Sequence, residues 1–470
     1  MALTISVEDI ISTTNNPLLQ AKPHWTRVRL GDVATVLNGY AFKAELFNRN
    51  EGTPLIRIRD VGSDDSQTLY SGEFESKYLV LPGELLIGMD GDFNCARWRG
   101  KPSLLNQRVC KVSISTDTYE DRFLDFVLPG YLKAINDATS SITVKHLSSR
   151  TIQDIPLPCP PMDEQREIVA EIEKQFSRLD EAVANLKRVK ANLKRYKASV
   201  LKDAVEGRLV PTEAELARRE GRSFETGEQL LQRILEVRRR EWRGKRSYRE
   251  PVVPEFTNLP EVPIGWAWAS PDQLSASEPY SLAIGPFGSS LKVSDYTTEG
   301  VPLVFVRNIR AVSFGGSETV FVTLDKAEDL KAHIVQAGDI LVTKMGAPPG
   351  DVCMYPATRP PAVITADCIK LRLMRQQLSE AFFAYAIESK LVQSQIQGIT
   401  KGVAQLKVSL GNFSSIGFPL PPVAEQRRIV EEIDRRLSLV RSVESEVDAN
   451  LKRAQALRQS TLSKSFSSSS

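Results

Sequence analysis

Two stretches of the chain alternate apolar and polar positions with one period and over similar lengths. In the first, Ile168, Ile172, Phe176, Leu179, Val183, Leu186, Leu193 and Val200 recur; in the second, Ile429, Ile433, Leu437, Val440, Val447, Leu451 and Leu462. Steps built from three and four, with Lys, Arg and Glu between them, place these residues on one side of a helix as a single apolar seam. Neither run contains Gly or Pro over about 40 residues, so each predicts a rod of roughly 60 Å at 1.5 Å per residue. Such a seam needs a partner. Two rods in one chain can partner each other, and a coiled coil formed with a second copy is the alternative.

The entries to the rods repeat as well. "PLPCPPMDEQREIVAEI" begins at Pro156 and "PLPPVAEQRRIVEEI" at Pro419. Pro160-Pro161 and Pro421-Pro422 cannot lie inside a helix, so each rod starts just after its proline pair, with Asp163 as the expected N-cap of the first. Upstream of each rod lie about 140 residues patterned as short strands, turns and a helix, near the usual size of a domain. These segments correspond too. "TPLIRIRDV" (53–61) matches "VPLVFVRNI" (301–309), and "LPGELLIGMDG" (81–91) matches "QAGDILVTKMG" (336–346). "FLDFV" (123–127) and "FFAYA" (382–386) sit on similar helix patterns, predicting helices over 119–137 and 378–397, and Val144–Leu147 pairs with Val403–Leu406. The chain is therefore read as a duplicated mixed α/β domain followed by a long helix, an internal pseudo-two-fold repeat. The boundaries are a first domain over 1–155, a first rod over 156–210, a central helix (from about Thr226 to Trp242) and proline-rich linker over 211–261, a second domain over 262–418 and a second rod over 419–470.

Composition narrows the class. With 41% apolar and 25% charged residues, a chain of 470 can bury sizeable cores. Five cysteines form no CxxC pair, and three histidines are too few for a zinc cluster of neighbouring ligands. The start of the chain carries no signal-like apolar run and no window reaches a membrane span of roughly 20 residues, so a cytoplasmic protein without membrane contact is expected. The formal charge of +3 is modest, but "RRREWRGKRSYR" (238–249) is strongly basic, as is the run from Lys187 to Lys202. Either run can be a solvated face.

Motifs for catalysis are missing. No GxxxxGK[ST] or GxGxxG phosphate loop occurs, no GxSxG elbow, and no [DN]PP[YF] of the kind that holds a flipped adenine for methylation. "GAPPGDV" (346–352) has the prolines without either flank. A binding or scaffold protein, not an enzyme and without a cofactor, is the expectation.

Two α/β domains, each followed by P-x-P-P-x-x-E-Q-R-x-I-V and a long helix, resemble the specificity subunit of Type I restriction–modification systems, as do "RYKASVLKDAVEGRLVPTEAELARREGR" (195–222) and "LPEVPIGWAW" (259–268). The loops differ between the copies while the elements persist, and one departure from the family pattern is at the C-terminus, where the first rod runs on as "KDAVEGRLVP" and the second as "SKSFSSSS". The resemblance implies two target-recognition domains in tandem and two antiparallel helices forming a coiled coil, with the Ile172–Leu186 stripe expected against Ile433–Leu451. It further implies a non-catalytic subunit that reads a bipartite, asymmetric site in double-stranded DNA and scaffolds two methyltransferase and two restriction subunits. The doubled Glu164-Gln165 and Glu425-Gln426 would then present two near-equivalent docking surfaces to identical partners. Two readers on one side of a duplex need centres about 34–36 Å apart, and rods near 60 Å can set such a gap. A dimeric coiled-coil DNA-binding regulator would share the basic runs but would not need the duplication.

Candidate DNA readers are polar and basic residues at matching strand ends, because phosphate contacts position a protein and base-edge contacts specify. They are Arg57, Arg59 and Asp60 in the first domain, matched by Arg307 and Asn308 in the second. Asp90 follows the strand "ELLIG" as Lys344 follows "DILVT"; Asn106, Gln107 and Arg108 cluster at the next strand. "GPFGSSLK" (285–292) offers Ser289, Ser290 and Lys292 in a loop able to cradle phosphate. For each, a solvated side chain at a strand-end turn is the competing reading.

Overall fold

The structure, a computed structural model, describes residues 6–13, 19, 22–139, 145–244, 247–255, 259–309, 314–316, 320–402 and 406–466. Two helices of 44 residues, Met162–Val205 and Val423–Phe466, start where the proline pairs predict. Asp163 falls inside the first turn, one residue past the helix start, so it is not the N-cap. Among the described residues no helix is long and apolar enough to cross a membrane.

The chain forms two compact units, and the division cuts through both rods. One unit is Met1–Lys187 with Asp448–Ser470; the other is Arg188–Val447. Each therefore takes the leading half of one long helix and the trailing half of the other.

In the first unit, a four-stranded sheet runs Ala34–Asn38, Val109–Ile114, Leu85–Gly88, Cys95–Arg97, with every pairing antiparallel. A second sheet of five short strands contains one parallel pair, Thr53–Ile56 beside Ser103–Leu105, in register at Ile56 and Leu105. Behind the first sheet lies the helix Asp121–Ala138, close to its predicted span and continuous through Pro129. Its buried face, with Phe123, Val127 and Tyr131, shares one core with Leu85, Ile87, Ile172 and Phe466. Phe466 is fully buried, its ring 5.5 Å from Phe123 and 6.4 Å from Trp25. Arg458 caps the ring of Phe176 at 4.3 Å and pairs with Asp180 at 2.9 Å, which fixes the antiparallel register here.

The second unit repeats the plan. Leu282–Ile284, Cys368–Leu371, Ile340–Thr343 and Val352–Met354 form the four-stranded sheet in the same order. Val301–Val304 pairs in parallel with Ala362–Ile364, in register at Val304 and Ile364. The predicted helix over 378–397 is two, Glu380–Glu388 and Lys390–Gly398, because Ser389 turns the chain; its hydroxyl donates to Ala386 O at 2.6 Å while capping the second helix. Val200, Leu201 and Ala204 share a core with Ile429, Ile433 and Leu437. The expected stripe pairing therefore changes. In antiparallel helices of equal length the start of one meets the end of the other, so Ile172 packs with the Phe466 end and Ile433 with the Val200 end.

The central region holds the predicted helix as Gly227–Arg240, with Thr226 and Gln229 in a reciprocal capping box, and an additional helix, Glu213–Glu220, capped by Thr212 and Glu215. Part of the basic run is structural, since Arg238 is buried and reaches the Asp272 carboxylate at 3.2 Å.

The doubled Glu-Gln pairs act inside the chain. Gln165 is fully buried: its Oε1 accepts from Glu120 N at 2.8 Å, and its Nε2 donates to Thr118 O at 3.1 Å and Pro160 O at 2.8 Å. Gln426 repeats this, accepting from Ser379 N at 2.9 Å and donating to Pro421 O at 2.9 Å. Glu164 accepts from Trp25 Nε1 at 3.0 Å and Lys22 Nζ at 3.2 Å, and Glu425 from Trp266 Nε1 at 3.0 Å and Glu213 N at 2.8 Å. Each pair staples its domain to its rod. The sequence reading put all four at a partner surface, but Gln165, Glu425 and Gln426 have no exposed area.

The two glutamates differ in charge environment. Burial opposes ionisation of Glu164, yet hydrogen bonds from Lys22, Trp25 and His24 hold its carboxyl below the usual range. Burial dominates at Glu425 and pushes it up to about 7, against the two N–H donors and Arg428. A carboxyl whose folded pKa is raised contributes stability that is complete below its unfolded value of about 4.5 and lost as pH rises through about 7. The second unit should lose on the order of 3 kcal/mol across this window. Glu425→Gln, which cannot titrate, should flatten the fall; identical pH slopes in melting of the variant and the parent would refute it.

Candidate nucleic-acid interface

In the first unit three segments converge at one end of the four-stranded sheet. The strand Leu85–Gly88 leads into Met89 and Asp90, and the turn Asn106–Arg108 leads into Val109–Ile114. Met89 N donates to Arg108 O at 2.9 Å, and Leu147 N to Met89 O at 2.7 Å, so the segment at His146 is the third. A fourth segment crosses at Gly39, where any Cβ would sit 2.1 Å from Asn106 O; only glycine permits the approach. Beyond it Tyr40 is about half exposed and accepts from Gln107 N at 3.0 Å.

This rim is rich in polar groups. Gln107 and Arg108 are exposed, and Asn106 is half-buried with its Oδ1 accepting from Gln107 N at 2.8 Å. Asp90 holds the centre with its side chain only 9% exposed, receiving the Arg108 Nη1 donor on one oxygen and meeting His146 Nδ1 at 2.6 Å on the other. Burial alone would raise the Asp90 carboxyl, but the hydrogen bonds of His146 and Arg108, with the charge of Arg108, hold it below the usual range.

The second unit builds the same crossing from other side chains. Lys344 N donates to Asp367 O at 2.7 Å, Val408 N donates to Lys344 O at 3.0 Å, and Met345 bridges Lys407 as Asp90 bridges His146. Gly285 repeats Gly39, with a Cβ position 2.0 Å from Thr365 O. Thus Asp90, Arg108 and His146 correspond in space to Met345, Asp367 and Lys407. The Lys344 ammonium turns to Ala366 O at 3.3 Å. The sequence correspondence of Val144–Leu147 with Val403–Leu406 is out by two, since Leu147 matches Val408; Val144 and 403–405 lie outside the described residues.

The remaining candidates lie on neighbouring strand ends. Arg57–Asp60 follows Ile56, whose parallel partner Leu105 precedes Asn106, so both turns leave the same end of the sheet side by side. Arg57 and Arg59 are exposed, whereas Asp60 is buried and accepts from Arg57 N at 2.9 Å and Ser66 Oγ at 3.1 Å. Asn308 does the matching work, accepting from Phe305 N at 2.8 Å and donating to Gly315 O at 3.0 Å. Both lock their turns, which leaves Arg307, exposed and 4.3 Å over the Phe305 ring, as the outward member of its pair. Ser289, Ser290 and Lys292 are exposed beside the exposed Phe287. Sequence reasoning missed His146, Asp367 and Lys407, and aligning the copies two residues further would have raised Lys407 against His146.

The family model for the type I restriction modification DNA specificity domain matches residues 23–195 and 304–448. The chain is also 32% identical over 469 residues to the Escherichia coli type I restriction enzyme EcoBI specificity subunit, covering 99% of this chain and 90% of that one. The chain belongs to the type I restriction–modification specificity subunit family. A more distant member, the Escherichia coli EcoDI specificity subunit, is 22% identical over 94% of this chain and 88% of its own. Among solved structures, a chain from work on complex assembly and conformational transition of the type I R-M system superposes with a TM-score of 0.61 at 17% identity. It covers 95% of this specificity subunit homologue and 99% of its own length, a likeness of fold.

Proposed function

We propose that this chain is the DNA-reading and scaffolding subunit of a type I restriction–modification complex, with domains 1–155 and 262–418 each reading one half of a bipartite, asymmetric site. The observation that carries this is the rim built twice on one backbone plan with different side chains: Asp90, Arg108 and His146 in one copy, Met345, Asp367 and Lys407 in the other. A duplicated scaffold with unlike reading groups suits two unlike half-sites. Exposed Arg57, Arg59, Arg307, Ser289, Ser290 and Lys292 supply donors for the phosphates that flank them.

The partners in this reading are double-stranded DNA, two methyltransferase subunits and two restriction subunits, in the cytoplasm. Exposed apolar side chains on the long helices, Leu439 and Val443 on one unit and Leu457 on the other, suit protein partners. The dimeric-regulator alternative needs the helices to seek a second copy. Here the seams at Ile172 and Ile433 are filled by segments of the same chain.

No step of catalysis is assigned to this chain. The purified subunit, incubated with labelled S-adenosylmethionine and DNA, should transfer no label, and adding the methyltransferase subunits of its own system should produce sequence-specific transfer. Label incorporated by a verified single-subunit preparation would sink the non-catalytic reading.

A further inference from the structure

We propose that Arg108 reads a guanine in the half-site of the first domain, with the buried Asp90 carboxylate as the group that aims it; the inference rests on the DNA-reading role above. Arg108 is 61% exposed on a rim, yet its guanidinium is fixed from behind by an acceptor only 9% exposed. Asp90 is itself pinned by His146 at 2.6 Å and by backbone bonds on either side, Met89 N to Arg108 O and Gly91 N to Lys145 O. Arg is therefore the outermost member of a rigid relay. Asp90 engages Nη1, and a guanidinium has five N–H donors in a planar fork, so a second edge is left to meet two acceptors at once. In the major groove that pair of acceptors is guanine O6 and N7.

A phosphate contact is the competing role, and the carboxylate argues against it. Phosphate contacts draw on net positive charge. An aspartate bonded to the arginine cancels that charge and adds an anion that the backbone repels. Fixing the orientation of the fork, however, matters for a base edge, where two bonds must align together. The second unit supports a base-reading role for this position. There the residue whose carbonyl takes the same backbone bond is Asp367, an acceptor where Arg108 is a donor. A carboxylate suits the exocyclic amino group of cytosine and not O6 or N7 of guanine. The two copies thus differ in hydrogen-bonding sense at one backbone position.

The test uses the complete methyltransferase complex reconstituted with the full chain. Duplexes carrying each base pair at every specified position measure relative binding and methylation, and replacement of residues 24–155 identifies which half-site belongs to the first domain. Arg108→Ala is expected to lose roughly ten- to a hundred-fold discrimination at one G·C pair of that half-site, leaving other positions and the other half-site unchanged. Arg108→Lys, which keeps the charge without the fork, should lose most of the same discrimination while the salt dependence of binding stays. Asp90→Asn should blur the same pair. Uniform weakening on all sequences, an unchanged preference, or a change in the other half-site overturns the inference and leaves the specificity-subunit reading intact. If the parental complex selects no sequence, that reading fails and takes the inference with it. Should Arg108→Ala fail to assemble, the Arg108→Lys result decides alone.

Discussion

Replacing residues 24–155 with the corresponding domain of a relative that reads a different site will change one half of the methylated sequence and leave the other half as it was. Each unit has its own hydrophobic core, one built on Leu85, Phe123 and Ile172, the other on Ile340, Phe382 and Ile433. The join to the first rod tolerates sequence change for a specific reason. Gln165 grips Glu120 and Thr118 through their main-chain N–H and C=O, which any residue other than proline at 120 supplies. The incoming domain must keep Trp25, whose indole N–H donates to Glu164 at 3.0 Å, and the aromatic face through which Phe123 meets Phe466 and Phe126 meets Phe176. Mapping methylated positions in DNA modified by the hybrid complex checks the result. A swap that altered both halves together, or neither, would rule out independent reading.

Gln165→Leu will be among the most damaging single changes. It removes three hydrogen bonds from a fully buried side chain and leaves Glu120 N–H, Thr118 C=O and Pro160 C=O to find other partners. An unsatisfied buried polar group costs roughly 1–3 kcal/mol, so a loss of about 3 kcal/mol is expected, a large part of the stability of an ordinary domain. Gln165→Glu should be worse still, because its carboxylate would face two carbonyl oxygens where the amide N–H₂ now donates. Gln426→Leu should act alike on the second unit, with two bonds lost. Denaturant unfolding followed separately for each variant is the measurement. A loss under about 0.5 kcal/mol, the usual size of a neutral surface change, would remove the staple from the account.

The rods, their proline entries and the duplication were legible in the sequence because they are local: a 3.6-residue period, a residue without an N–H, and two strings alike. The purposes of individual polar residues were less legible. Asp60 and Asn308 sit at strand ends as a reader would, but each accepts the N–H of the residue three positions before it, a turn bond that depends on local backbone angles. Gln165 and Gln426 stand beside exposed arginines in a polar helix start, and only tertiary packing buries them. The rim around Asp90 joins residues 56 apart in sequence to His146 through a single isolated bridge. No periodicity marks such a crossing. Asp163 lies two residues past the N-cap position at Pro161, within the usual spread of helix ends.

Phe466 has a consequence for the order in which the protein can be completed during synthesis. The second unit is continuous, Arg188–Val447, so all of its sequence has been synthesised once Val447 is added. The first unit, although its domain is made earliest, has to wait for Asp448–Phe466 to fill the place between Trp25 and Phe123. At roughly 5–20 residues per second, the roughly 260 residues in between correspond to about 13–50 s during which Trp25, Phe123 and Ile172 lack one wall of their core. The part translated first is thus the part finished last, with Trp25 and Phe123 waiting on Phe466.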